Sequence, residues 1–266
     1  MKSTLLITAC ALLLALAHSC DTETKTSGAA VEVVMDTLHF EKMYGAGCDQ
    51  PDTLRTNCVE VDLSWLHVAQ GPDSLKKAVE VWANAYLAGI LAPGVDSAGA
   101  ASKSVEAAAQ ELFKSQEEFA KEAPDSPMGL WVAEASGSVL LNDGKHLTLQ
   151  IEGFTYMGGA HGNPTAAVAT FEAGTGRQIT WDDLATDQAA LKALAEKKFR
   201  EERADAFEEG FEFDEIFSFA LPANFGLADK GIYFYYLPYE VGPYAMGGTQ
   251  FTLTFEELGD LSKIGK

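Results

Sequence analysis

The stretch Asn142-Asp143-Gly144-Lys145 restricts the fold of this chain more tightly than any other. It separates two runs that alternate in polarity, LWVAEASGSVLL and HLTLQIEGFTYM. In the second run Leu147, Leu149 and Ile151 alternate with Thr148, Gln150 and Glu152. That two-residue period belongs to a half-buried strand, and Asp-Gly between two such runs is the strongest short hairpin signal a sequence carries. The middle of the chain is therefore predicted to be an antiparallel hairpin, and the other elements must fit around it.

Two earlier runs, VEVVMDTLHF (31–40) and VEVDLSWLHV (59–68), also read as strands. In the second, Val59, Val61, Leu63 and Trp65 alternate with Glu60, Asp62 and Ser64. The period then changes. Residues 73–93 place Leu75, Ala78, Val79, Trp82, Tyr86 and Ile90 on one helical face, with Asp73 or Ser74 as cap and Pro93 as terminator. Residues 104–124 give a second helix with Val105, Ala108, Ala109, Leu112 and Phe119 as its stripe, ending before Pro124. After the hairpin come a strand with a Gly-containing turn (165–179), a short helix capped by Thr180, and a third long helix over 187–207. That helix carries Leu191, Ala195 and Phe199 in one row and a Glu196–Arg200 pair at i,i+4. Residues 231–248 and 249–258 read as closing strands around a Pro/Gly loop. Hairpins and helices alternate without repeated βαβ units, so the predicted class is α+β, with antiparallel or mixed sheets packed by about three long helices.

The N-terminus reads as a targeting segment rather than part of the fold. Leu5 to Ala17 is an apolar run of thirteen residues behind Lys2, too short to span a bilayer and suited to a secretory signal. It ends in LAHSC, the pattern of a bacterial lipoprotein signal, which makes Cys20 the expected lipidation site. Residues 20–30 are polar and read as a tether. Removing residues 1–19 would leave 247 of the 266 residues, with 18 basic against 39 acidic side chains. That balance argues against nucleic acid as a partner and is compatible with a basic protein, with cations, or with solubility alone. Cys48 and Cys58 are then the remaining cysteines. In an oxidising compartment an even count predicts a disulfide between them. No zinc-like spacing, EF-hand spacing or cofactor motif is present, so neither metal nor cofactor is expected. Eight acids fall between Glu201 and Phe217, a pattern that suits a solvated face.

Two stretches could carry a function. TYMGGAHGNP (155–164) gathers Gly158, Gly159 and Gly162 around His161 and closes on Pro164. The glycines permit positive φ, so the stretch reads as a tight turn, or as a loop exposing backbone N–H groups around an imidazole. LPYEVGPYAMGG (237–248) sets Pro238-Tyr239 and Pro243-Tyr244 around Glu240. Stiff prolines and large tyrosines suit a recognition loop; they also suit a strand connection with half-buried rings.

YMGGAHGNPTAAVATFEAGTGRQITWDDL followed by YFYYLPYEVGPYAMGG resembles the domain of unknown function at the extracytoplasmic end of RsiV-type anti-sigma factors, a domain also found in bacterial lipoproteins. The N-terminal half is similar to a module attached to some peptidoglycan deacetylases. The resemblance spans roughly residues 31–258 and implies two closely packed modules, 31–164 and 165–262, with an α+β fold and an envelope location. In the best understood member type, loops bind lysozyme directly. The matching positions are Gly158, Gly159, His161, Gly162, Pro238, Tyr239, Glu240, Pro243, Tyr244 and Gly247. Neither a sigma-binding region nor a deacetylase domain is read in the sequence, so sigma-factor signalling is not part of the expectation. The expectation is a non-catalytic, lipid-anchored envelope protein that binds a protein or glycan, with Gly158, Gly159, His161, Tyr239, Glu240, Pro243 and Tyr244 as ligand-binding candidates. The alternatives are a wall-glycan enzyme that uses His161 with an acid such as Glu240, and a structural lipoprotein.

Overall fold

The structure is a computed structural model that describes residues 30–51, 55–92, 103–124, 126 and 129–264. The expected signal peptide, Cys20, the tether before Ala30, and Pro93 lie outside the described residues. Among the described residues eight strands form two sheets and six α-helices accompany them, so the class is α+β as the sequence predicts.

The first sheet has the order β1-β2-β3-β4-β5, with β1 at Val34–Tyr44, β2 at Cys58–Gln70, β3 at Leu130–Asn142, β4 at His146–Tyr156 and β5 at Asn163–Glu172. The Asp-Gly hairpin joins β3 to β4. Asp143 Oδ1 accepts from the N–H groups of Lys145 (2.8 Å) and His146 (2.6 Å), and Gly144 takes φ 78°. All neighbours pair antiparallel except β2 and β3, which are parallel. A parallel pair needs a long crossover. Here it is made by helices α1 (Asp73–Leu91) and α2 (Val105–Glu122), which cover one face of the sheet. Val59, Val61 and Leu63 of β2 meet Ala83 and Leu87 of α1 and Ala108, Leu112 and Phe113 of α2 there, all nearly free of solvent.

The second sheet, β6 (Asn224–Ala228), β7 (Gly231–Tyr236) and β8 (Thr249–Thr254), packs on the other face, over β5 and the adjoining part of β4. Close approach there requires Gly226, since a Cβ at that position would meet Thr148 Cγ2 at 2.6 Å. The Leu227 N–H donates to Thr170 Oγ1 (2.9 Å), and the Val168 N–H donates to Asn224 Oδ1 (3.2 Å). The remaining helices are α3 (Trp181–Leu184), α4 (Gln188–Glu202), α5 (Ala204–Glu208) and α6 (Phe255–Leu258). α4 starts at Asp187, whose carboxylate accepts from Ala189 N (2.9 Å) and Ala190 N (3.0 Å), and it buries Leu191, Ala195 and Phe199. Around Phe199 lie Phe207, Phe213, Phe219 and Tyr236, all with ring centroids within 6.5 Å.

Several local expectations are corrected. Pro72, not Asp73 or Ser74, occupies the N-cap of α1; Asp73 lies in the first turn, where its charge faces the positive end of the helix dipole. The third long helix ends at Glu202 and restarts as α5. The last strand ends at Thr254, because Thr254 and Glu257 form a capping box that turns 255–258 into a helix. β6 was not anticipated. β5 begins at Asn163, and the first sheet continues through it to Glu172. The Cys48–Cys58 disulfide is present with a Cα–Cα separation of 4.9 Å, and it links the turn after β1 to the first residue of β2.

Candidate functional site

The β4–β5 and β7–β8 loops meet through one carbonyl group. At the end of β4 the chain reverses through Gly158 (φ 81°) and Gly159 (φ 108°), conformations that side chains rarely adopt. Gly162 packs closely for another reason: a Cβ there would lie 2.1 Å from the partly exposed Phe154 ring, which would have to shift. With that ring against it, Gly162 turns its carbonyl to two donors. His161 Nδ1 lies 2.8 Å from this oxygen and Tyr244 Oη lies 2.9 Å from it. A carbonyl only accepts, so Nδ1 carries the proton and Nε2 is the ring's available nitrogen. Tyr156 Oη donates to the Gly159 carbonyl at 3.2 Å, holding the turn against its own strand.

The Pro-Tyr loop is equally well defined. Glu240 Oε2 accepts from Leu237 N (2.7 Å) and Oε1 accepts from Ala223 N (3.1 Å). The carboxylate thus ties the loop to itself and to the start of β6. Tyr239 N donates to the Gly242 carbonyl (3.0 Å), and Pro243 leads into a 3-10 turn over Tyr244–Met246. Between these restraints Tyr239 takes φ 71°, with 55 % of its surface exposed. Left-handed backbone is an outlier for a bulky residue.

The two loops together produce a row of three rings. His161 stacks on Tyr244 with centroids 4.0 Å apart and planes at 23°, and Tyr244 meets Tyr239 at 5.6 Å and 37°. His161 and Tyr239 are exposed and Tyr244 is half-buried. The row forms a platform rather than a cleft. A cavity of about 540 Å³ lies elsewhere, at the β1–β2 side of the sheet beside Tyr44, Asn57 and Gln116. Phe154, beneath Gly162, also borders an open groove of about 530 Å³ on the face of the sheet opposite the helices, where Asp62, Glu134 and Glu152 gather. Beside it burial, reinforced by the charge of Glu152, pushes the Tyr233 and Tyr235 hydroxyls up to about 12, so both stay neutral at physiological pH.

Of the sequence candidates, His161, Tyr239 and Tyr244 come together as rings. Gly158, Gly159, Glu240 and Pro243 shape the loops that hold them. Phe154 was missed; its signal was an aromatic residue on the solvent side of an alternating strand. The acid-rich 201–217 segment wraps an aromatic cluster, with the Arg200 guanidinium 4.6 Å from the Phe207 and Phe213 ring centres. No group of three or more potential metal ligands occurs among the described residues.

Two segments of the chain are similar to known families. Residues 181–256 match the family described as "Protein of unknown function (DUF3298)", and residues 53–164 match the family described as "Deacetylase PdaC". Two solved structures share the fold. A DUF3298 family member from Bacteroides fragilis has a TM-score of 0.67 at 20 % identity, covering 89 % of this chain and 95 % of its own. A DUF3298 family protein from Pseudomonas aeruginosa has a TM-score of 0.65 at 18 % identity, covering 89 % and 97 %. No curated protein matches this sequence.

Proposed function

We propose that this is a non-catalytic, lipid-anchored cell-envelope protein whose His161–Tyr244–Tyr239 platform binds a basic protein of lysozyme type or a wall glycan. The observation that carries the reading is Tyr239. Tyr239 is exposed yet held at positive φ with its ring against Tyr244, and backbone outliers of this kind concentrate at ligand-contacting sites. Flat rings with polar edges suit either ligand, since they stack on arginine guanidinium groups and on the apolar faces of sugars. The acidic groove that reaches Phe154 and the formal charge of −20 favour the basic protein. RsiV-type recognition of lysozyme is the specific form of this proposal, and Cys20 acylation its anchor.

An acid–base pair of His161 with Glu240 is a poorer fit, because both Glu240 oxygens already accept backbone N–H groups. The test is paired. Binding to a basic lysozyme and turnover of a wall-glycan fragment are measured for the wild type, Tyr239→Ala/Tyr244→Ala and His161→Ala. Losing a buried aromatic anchor commonly costs about 2 kcal/mol, roughly thirtyfold in affinity, mainly through faster dissociation. Association should slow as salt rises. Turnover that depends on His161 would overturn the proposal. Affinity indifferent to the tyrosines would remove the platform as the contact.

A further inference from the structure

The two edges of the five-stranded sheet differ. β5 is closed by its own continuation: Ile179 N donates to the Thr170 carbonyl (2.8 Å), Glu172 N donates to the Arg177 carbonyl (2.8 Å), and Val168 N reaches Asn224. β1 pairs only with β2, and no described strand lies beyond it. Its outer edge is met by no described strand; one outer donor, the Thr37 N–H, is taken by the neighbouring Asp36 carboxylate (2.7 Å), and Asp36 to His39 are all exposed. Two of the exposed large hydrophobic residues, Leu38 (42 %) and Met43 (44 %), lie on this one strand. A long edge bearing exposed apolar residues is a template for another strand.

We propose that the occupant is a second copy of this chain, joined β1 to β1 about a two-fold axis through His39, so that two five-stranded sheets become one. The register follows from hydrogen-bond geometry. In an antiparallel pair, opposed residues both point their N–H and C=O groups at the partner or both point them away, and the two kinds alternate along the strand. A symmetric pair must therefore oppose residues of the same parity, and its axis must pass through a residue. The one cation of β1 is Lys42, and the one acid of matching parity is Asp36. Opposing them places the axis on His39. The same register sets Leu38 against the partner's Phe40 and Met43 against the partner's Met35, covering both exposed hydrophobics. Glu41 faces the partner's Thr37 and His39 faces its own copy, so no like charges are directly opposed while the imidazoles are neutral. An axis on Leu38 would set Asp36 against the partner's Phe40, and an axis on Phe40 would set Lys42 against the partner's Leu38. Charges on an edge strand usually discourage pairing; here they are self-complementary.

Sedimentation velocity on the full chain over a concentration series tests the pairing. The wild type is expected to show a monomer–dimer equilibrium. Asp36→Lys or Lys42→Asp alone opposes like charges at both symmetric positions and should weaken the dimer roughly tenfold. The double variant Asp36→Lys/Lys42→Asp restores opposite charges and should recover it, which separates loss of pairing from loss of folding. Under oxidation His39→Cys should give a disulfide-linked dimer beyond any seen in the wild type, and Thr37→Cys should not, because the two copies of residue 37 are far out of register. A chain that stays monomeric throughout the series, a dimer indifferent to the single charge reversals, or equal cross-linking at 37 and 39 would overturn the proposal.

Discussion

Two residues other than glycine take positive φ among the described residues, Asn57 at 52° and Tyr239 at 71°, and the reasons differ. Asn57 sits next to the disulfide and is crowded by backbone on two sides. A Cβ at Gly45 would lie 2.2 Å from the Asn57 carbonyl oxygen, and one at Gly129 would lie 2.6 Å from the Asn57 nitrogen. Asparagine also tolerates the left-handed region better than most residues. The fold therefore explains Asn57. Tyr239 is large, exposed and open to solvent on one side, and its backbone is held in place by Glu240 and the Gly242 carbonyl. In one loop the covalent staple and close packing impose the conformation. In the other, hydrogen bonds maintain a conformation whose visible product is the position of a ring.

The contrast can be broken at several points. Removing the staple with Cys48→Ser/Cys58→Ser should cost about 2–4 kcal/mol in urea unfolding, while the proposed lysozyme binding should be unaffected in the folded fraction, because the platform lies elsewhere. Asn57→Tyr places a bulky residue where Tyr239 shows one can exist, but between Gly45 and Gly129. Overpacking and left-handed strain should lower stability by about 2 kcal/mol. Tyr244→Phe removes the hydroxyl that bonds the Gly162 carbonyl; it should cost about 1 kcal/mol and loosen the two loops, visible as faster hydrogen exchange at both. Tyr239→Asn exchanges the strained residue for one that accepts its backbone, and the melting temperature should hold or rise slightly, by about 0.5 kcal/mol in stability.

Much of the fold was legible because its signals are local. The Asp-Gly hairpin, the Thr180 cap, the Leu191–Ala195–Phe199 row and the cysteine pair each rest on residues close in the chain. What escaped is long-range or ambiguous. NFGLA is too short and too weakly alternating to announce β6, which is defined by Gly226 packing on Thr148 and Thr170. The Thr254–Glu257 box was readable, but the strand pattern before it hid the change of period. The parallel β2–β3 pairing depends on two helices folding back. At the site, the types of the ring-bearing residues could be read from sequence, but their row could not. It depends on the Gly162 carbonyl accepting from a residue eighty-two positions away and on the Phe154 ring packing against Gly162.

The central claim is that Tyr239 is held in a costly conformation for the sake of contact. The most direct measurement takes wild type and Tyr239→Asn through chemical unfolding and through titration with a basic lysozyme at low salt. The account predicts stability that is unchanged or higher, together with affinity weakened by roughly tenfold or more. Stability that falls with affinity intact would contradict it, and would make the positive φ at Tyr239 a feature of packing.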